Sequence, residues 1–192
     1  MSGKLAIAGL AAGVLMYVWT FLAHMFLGLG TMGFSQIPPA GEPAAIAAMK
    51  AGTGDKAGLY AFPGMDMNDK ASMKAYEDKV KTSPSGLLLY RPAPGSGMEP
   101  RQLIGEFVLE LIEAFIALWL VSKTSLSGFG GRVAGFAAIG VLAAITTNAS
   151  YWLWYGFPQM YSIAQMVTEF GKYLFAGVAA ALVLGMKPKA AA

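Results

Sequence analysis

Apolar residues in this chain come in runs too long for the core of a water-soluble domain. Four windows, Leu5–Leu29, Leu103–Val121, Val133–Trp154 and Tyr161–Met186, match the about 20 residues that a helix needs to cross a bilayer. Charge is correspondingly scarce: 13% of the 192 residues are Asp, Glu, Lys or Arg, about half of what a soluble domain carries. That shortage excludes a disordered chain and argues against an ordinary soluble enzyme. The chain has no cysteine, so disulfides, thiolate metal sites and cysteine nucleophiles are excluded as well. The fold expected is an all-α membrane protein, a four-transmembrane-helix bundle with a small extracytoplasmic α+β cap in its first loop. Its parts are a first transmembrane helix within residues 1–30, the loop and cap over 31–100, and three further helices within 101–192, at about 103–122, 133–155 and 161–186. The first window follows Lys4 in the manner of a signal peptide. Signal cores run only about 7–15 residues, however, so the window reads as a retained span.

If four spans alternate in direction, Lys4, Lys123, Arg132, Lys187 and Lys189 share one side, and no acidic residue joins them. Basic residues near span ends mark the cytoplasmic side. Both termini are therefore expected in the cytoplasm and the long first loop outside, which in a bacterium is the periplasm. The short connection Gly156–Pro158 faces the same way. Tyr151, Trp152, Trp154 and Tyr155 gather beside it, as aromatic residues do at the headgroup boundary. The first loop, about 70 residues, is too long for a bare connection. Within it Glu42–Ala51 has helical composition, and Leu59–Phe62 and Gly86–Tyr90 read as short strands able to pair. Asp66 or Asn68 is placed to cap a second helix running to about Val80. The stripes Gly9-x-x-x-Gly13 and Gly177-x-x-x-Ala181 suit close helix packing.

Of the 11 acidic residues, seven lie in the first loop and four, Glu106, Glu110, Glu113 and Glu169, lie inside predicted spans. The first three are spaced i, i+4, i+7 and so share one helical stripe. A charge at the bilayer centre costs about 3 kcal/mol even on a lenient scale, so this stripe must face the bundle interior or a water-filled cavity. Counted from the outer span ends at ~1.5 Å per residue, Glu106, Glu110 and Glu113 lie at ~5, ~10 and ~15 Å, His24 at ~7 Å, Asn148 at ~10 Å, Glu169 at ~12 Å and Lys172 at ~16 Å. Gln165 belongs to the same outer half-layer, whereas the inner half is Gly, Ala, Leu and Val. Four carboxylates thus share a layer with one lysine and one histidine. Lys172 and Glu113 match in depth, and Glu169, three residues from Lys172, competes for the ammonium.

The plainest reading of these residues is an interhelical network that holds the bundle together. The functional reading is a binding or transport-type role. In it His24, Glu106, Glu110, Glu113, Asn148, Gln165, Glu169 and Lys172 hold a proton, a cation or a small polar ligand in an outward-facing pocket. A non-catalytic accessory subunit of a larger membrane complex is the alternative, and a membrane enzyme with a carboxylate-rich metal site, completed by His24 and Asn148, ranks third. One histidine cannot supply paired imidazoles to haem or zinc, and Glu110-x-x-Glu113 replaces the Glu-x-x-His of di-iron bundles. The sequence therefore names no catalytic residue and no cofactor. The partners it implies are the lipid bilayer and either further copies of the chain or a larger membrane complex; no nucleic-acid motif is present.

Four strings, Ala23-His24-Met25, Gly58-Leu-Tyr-Ala-Phe-Pro-Gly64, Ser85-Gly-Leu-Leu-Leu-Tyr90 and Tyr151-Trp-Leu-Trp-Tyr-Gly-Phe-Pro158, span most of the chain. Together they resemble a group of uncharacterised small multi-pass bacterial inner-membrane proteins. The resemblance implies an inner-membrane location and carries over no catalytic residue.

Overall fold

The computed structural model describes residues 3–95 and 97–185, so Met186, Lys187 and Lys189 lie outside the described residues. The chain is mostly helical. In order come α1 (Gly3–Met25), α2 (Glu42–Thr53), β1 (Gly58–Phe62), α3 (Lys70–Thr82), β2 (Gly86–Tyr90), α4 (Pro100–Ser122), α5 (Gly128–Tyr155) and α6 (Gln159–Gly185). They fall into two compact units, one carrying α1, α4, α5 and α6, the other, Ser35–Gly97, carrying the remaining elements.

Three helices, α1, α5 and α6, are long and apolar enough to cross a membrane, at 23, 28 and 27 residues. Helix α4 equals α1 in length at 23 residues, but its three glutamates take it out of that class on composition. Several ends differ from the sequence reading. Helix α1 stops at Met25 rather than Leu29: the turn that follows passes through Gly28 at φ +70°, which lets the Leu29 N–H donate back to the Ala23 carbonyl at 3.0 Å. Helix α4 begins at Pro100 rather than Leu103: proline suits the first helical position, and the Gln102 side chain reaches back to accept from the Glu99 N–H at 2.8 Å. Helix α5 begins at Gly128 rather than about Val133, while its end at Tyr155 is where the sequence placed it, closed by Gly156 in the left-handed conformation (φ 68°), whose N–H caps the Tyr151 carbonyl.

Helix α6 packs along both α1 and α5, whereas α4 lies mainly against α1 and makes few contacts with α5 or α6. The contact surfaces are built from small residues: Ala8 and Ala12 on α1, Ala114 and Ala117 on α4, and Ala176 and Ala180 on α6 are all buried, around Met16 and Phe136. Small side chains let backbones approach closely, which replaces the hydrophobic driving force that lipid does not provide between helices. Both small-residue stripes lie at such contacts. A Cβ on Gly13 would sit 3.0 Å from the Leu111 Cα, and one on Gly177 would sit 2.7 Å from the Phe136 Cβ and 3.3 Å from the Val133 Cα.

In the second unit β1 and β2 pair antiparallel, with Tyr60 opposite Leu88 and Leu59 opposite Leu89. Helix α3 starts one residue after Asp69. Neither Asp66 nor Asn68 is its cap, because Asp69 is the residue in extended backbone whose carboxylate accepts from the Ala71 N–H at 2.9 Å. Asp66 instead receives the Asn68 N–H in a local turn. The C-terminus of α2 is tied to β2 through Asp55. That residue holds a left-handed φ of 57°, tolerable for aspartate, and takes a hydrogen bond from the Tyr90 hydroxyl at 2.8 Å and an ion pair from Lys50 at 3.2 Å. The Tyr90 hydroxyl, more than Lys50, holds the Asp55 carboxyl below its usual range, and the carboxylate in return raises Tyr90.

The packing makes a direct prediction. Gly177→Val forces two branched methyls into the α5–α6 contact and should cost about 1–3 kcal/mol. Gly105→Val, where nothing lies within 4 Å of an added Cβ, should change stability by less than about 0.5 kcal/mol. Thermal unfolding of the two variants in detergent measures the difference, and equal midpoints would contradict this packing.

Candidate functional site

The three glutamates of α4 share a stripe but not a destination. At about 100° per residue, Glu110 and Glu113 project about 60° apart around the helix, and that angle sends them to different neighbours. Glu113 points toward α6, where its Oε2 lies 2.9 Å from the Lys172 Nζ and accepts from the Tyr173 hydroxyl at 3.3 Å. Lys172 also reaches Glu169 one turn back, at 3.1 Å. Glu169 therefore does not compete with Glu113 for the ammonium; the two share it. The lysine side chain is 7% exposed and each carboxylate 35%, so the cation is sealed while both anions reach the surface.

That surface is the wall of a cleft of about 500 Å³, formed where α4, α5 and α6 meet and lined by Glu113, Glu169, Lys172 and Tyr173 together with Thr146, Thr147 and Asn148. Asn148 donates its amide to the Ala144 carbonyl at 2.9 Å and Thr146 its hydroxyl to the Leu142 carbonyl at 2.6 Å. Each thus places one donor on its own helix. One carboxylate would suffice to neutralise Lys172. With two, the formal charge of the three side chains is one negative.

Glu110 turns the other way, toward α1. Its side chain is fully buried, and one carboxyl oxygen accepts from the Thr20 hydroxyl while the other has no partner among the described residues. Thr20 in turn lines a second cleft of about 330 Å³ that includes His24, Gln102 and Glu106 among apolar neighbours. Glu106 is exposed there, and His24, in the last turn of α1, is exposed with its Nδ1 held 2.9 Å from the Thr20 carbonyl. The single outer layer inferred from depth is thus a correction: depth along a helix says nothing about azimuth. The structure brings Glu113, Asn148, Glu169 and Lys172 together, places His24 and Glu106 at another cleft, buries Glu110 on its own, and leaves half-buried Gln165 at neither cleft.

Among the described residues, no group of three His, Asp or Glu side chains gathers closely enough to hold a metal ion. The aromatic residues Tyr151, Trp152, Trp154 and Tyr155 are all exposed at the end of α5, Trp154 to 82%, with Tyr151 stacked on Phe157 and Phe157 against Tyr161. Two participants were not singled out from sequence. Thr20 interrupts an apolar window and was visible as a polar residue, but nothing tied it to Glu110. Tyr173 carries no signal, since a tyrosine in a span reads as an interface residue.

No protein-family model, curated protein or solved structure matches this chain. Its site therefore stands on geometry alone.

The sharing of Lys172 predicts unequal losses. Lys172→Met leaves two partly exposed carboxylates without a cation and should cost up to about 3 kcal/mol, the low end for a broken buried pair because both anions reach solvent. Glu113→Gln leaves Lys172 with Glu169 and should cost about 1 kcal/mol. The triple variant Lys172→Met/Glu113→Gln/Glu169→Gln should recover most of the lysine loss. Thermal denaturation measures all three; equal losses for the two single variants would show that Lys172 depends on Glu113 alone.

Proposed function

We propose that this chain is a multi-pass integral membrane protein of a bacterial inner membrane whose Glu113–Lys172–Glu169 cleft binds a small polar cation in a binding or transport-type role. The observation that carries the reading is the buried ammonium held between two half-exposed carboxylates on the wall of an open cleft. A network serving only to join helices needs one carboxylate per lysine. The second leaves negative charge facing a cavity lined also by Thr146, Thr147 and Asn148, residue types suited to a monovalent cation or a protonated amine. In this reading α4 crosses the membrane as the fourth span. Its stripe of acid is turned inward, both termini are cytoplasmic, and Ser35–Gly97 is extracytoplasmic, since Lys4, Lys123 and Arg132 all fall on the inner side. The resemblance to small inner-membrane proteins supports the location.

A second reading, an accessory subunit of a larger complex, draws on Leu59 and Leu89. They oppose each other across the β1–β2 ladder and are 66% and 72% exposed, more apolar surface than a lone spacer needs.

The test uses purified protein in detergent with sodium, potassium and small primary ammonium salts, against a bulky quaternary ammonium salt at equal ionic strength. One of the small cations should raise the unfolding midpoint, and Glu169→Gln should abolish the shift while Glu106→Gln preserves it. No cation-specific shift, or a shift that survives Glu169→Gln, would overturn the proposal. Reporter fusions at residues 75 and 192 should report opposite compartments; the same compartment for both would overturn the topology.

A further inference from the structure

The Lys172 cleft leaves one ionisable group of the interior unexplained. Glu110 is fully buried, has one carboxyl oxygen on the Thr20 hydroxyl and has nothing on the other among the described residues. Every charged or titratable neighbour can be named. Helix α1 offers the Thr20 hydroxyl, with Tyr17 one turn back and His24 one turn on, both lining the exposed cleft, and carries Lys4 at its far end, about 24 Å along the axis from Thr20. Helix α6 offers Lys172 and Glu169, but that ammonium is already ion-paired to Glu113 and Glu169. Helix α4 itself adds like charge, Glu106 and Glu113, beside Glu110; its one cation, Arg101, sits in the first turn about 13 Å away along the axis and pairs with Glu99. The one charged residue of α5 is Arg132, near its N-terminus and on the wall of a different cleft, with Leu118 and Val121. No cation is therefore within ion-pair reach of Glu110 among the described residues.

Two states of Glu110 compete. An ionised carboxylate would keep an unpaired anionic oxygen in a buried interior, whereas a neutral acid leaves only one hydroxyl without an acceptor. The first penalty is far larger than the second. The neighbouring Glu113 and Glu106 push in the same direction, since like charges favour the uncharged form.

We propose that Glu110 is a proton-binding site: it holds a proton at neutral pH and exchanges it with the His24–Glu106 cleft past Thr20, whose hydroxyl donates to Glu110 and whose side chain lines that cleft. In the outward step the O–H bond at the free carboxyl oxygen breaks and the proton passes to water in the cleft. The electron pair stays on the Glu110 carboxylate, which the Thr20 hydroxyl continues to stabilise. Uptake is the reverse. This proposal does not rest on the cation reading, because it concerns a different face of α4.

Infrared spectroscopy of the whole protein in lipid at neutral pH should show the carbonyl stretch of a protonated carboxyl. The band should shift on transfer to heavy water, be lost in Glu110→Gln and persist in Glu113→Gln. Thr20→Val should slow the heavy-water shift. In the unaltered protein, a hydrophobic carbodiimide, which attacks protonated carboxyls, should modify Glu110 in preference to the other glutamates, read by peptide mass mapping; this readout needs no variant to fold. Absence of the band, its survival in Glu110→Gln, or preferential carbodiimide modification of another glutamate would overturn the site. A band that does not shift in heavy water, or shifts at the same rate in Thr20→Val, would overturn the exchange route. Loss of the cation-induced stabilisation tested on Glu169 would leave these outcomes unchanged.

Discussion

The ammonium of Lys172 joins two helices that otherwise scarcely meet. Helix α4 packs on α1 and has little contact with α6, so the ion pair to Glu113 and the Tyr173 hydroxyl bond are its main polar links to that helix. Because the lysine is sealed and its two partners are not, the charge is fixed in position while its counter-charges remain available to whatever enters the cleft. A buried ammonium with one carboxylate would be closed electrostatically. Two give the three side chains a formal charge of one negative, and both carboxylates stay half-exposed on the cleft wall.

That arrangement is possible because the rest of the unit packs through small residues. Alanines and glycines along α1 and α6 bring the backbones close without needing polar glue, and the Trp19 indole donating to the Thr168 carbonyl at 2.9 Å adds one fixed crossing between them. The carboxylates of α4 are thus not required for the α1–α6 and α5–α6 contacts. They are concentrated on the one helix with the sparsest packing against two of its neighbours, and the clefts open where that packing thins.

The second unit is stabilised by other means. With two five-residue strands and no buried residue in α3, it has little hydrophobic core. Its order comes from polar constraints: the left-handed Asp55 that closes α2 is held by Tyr90 across the unit, and the Tyr60 hydroxyl donates to the Lys56 carbonyl at 2.9 Å. The first closes the unit across 35 residues and the second is local, so polar bonds hold what little core there is.

Sequence by itself determined the helices and strands, because the signals are local. Apolar run length marked α1, α5 and α6, strand composition marked Leu59–Phe62 and Gly86–Tyr90, and glycine and proline set most ends. It also marked Glu113 and Lys172 as partners, since equal depth is a property of residue count along a helix. What it did not contain was azimuth. Whether Glu110 faces α1 or α6 depends on how α4 is rotated in its packing, and a difference of about 60° separates a shared ion pair from an isolated buried acid. Only the tertiary structure decided that rotation, and with it the division of one apparent polar layer into an anionic cleft, a second cleft around His24, and a carboxyl enclosed alone between them.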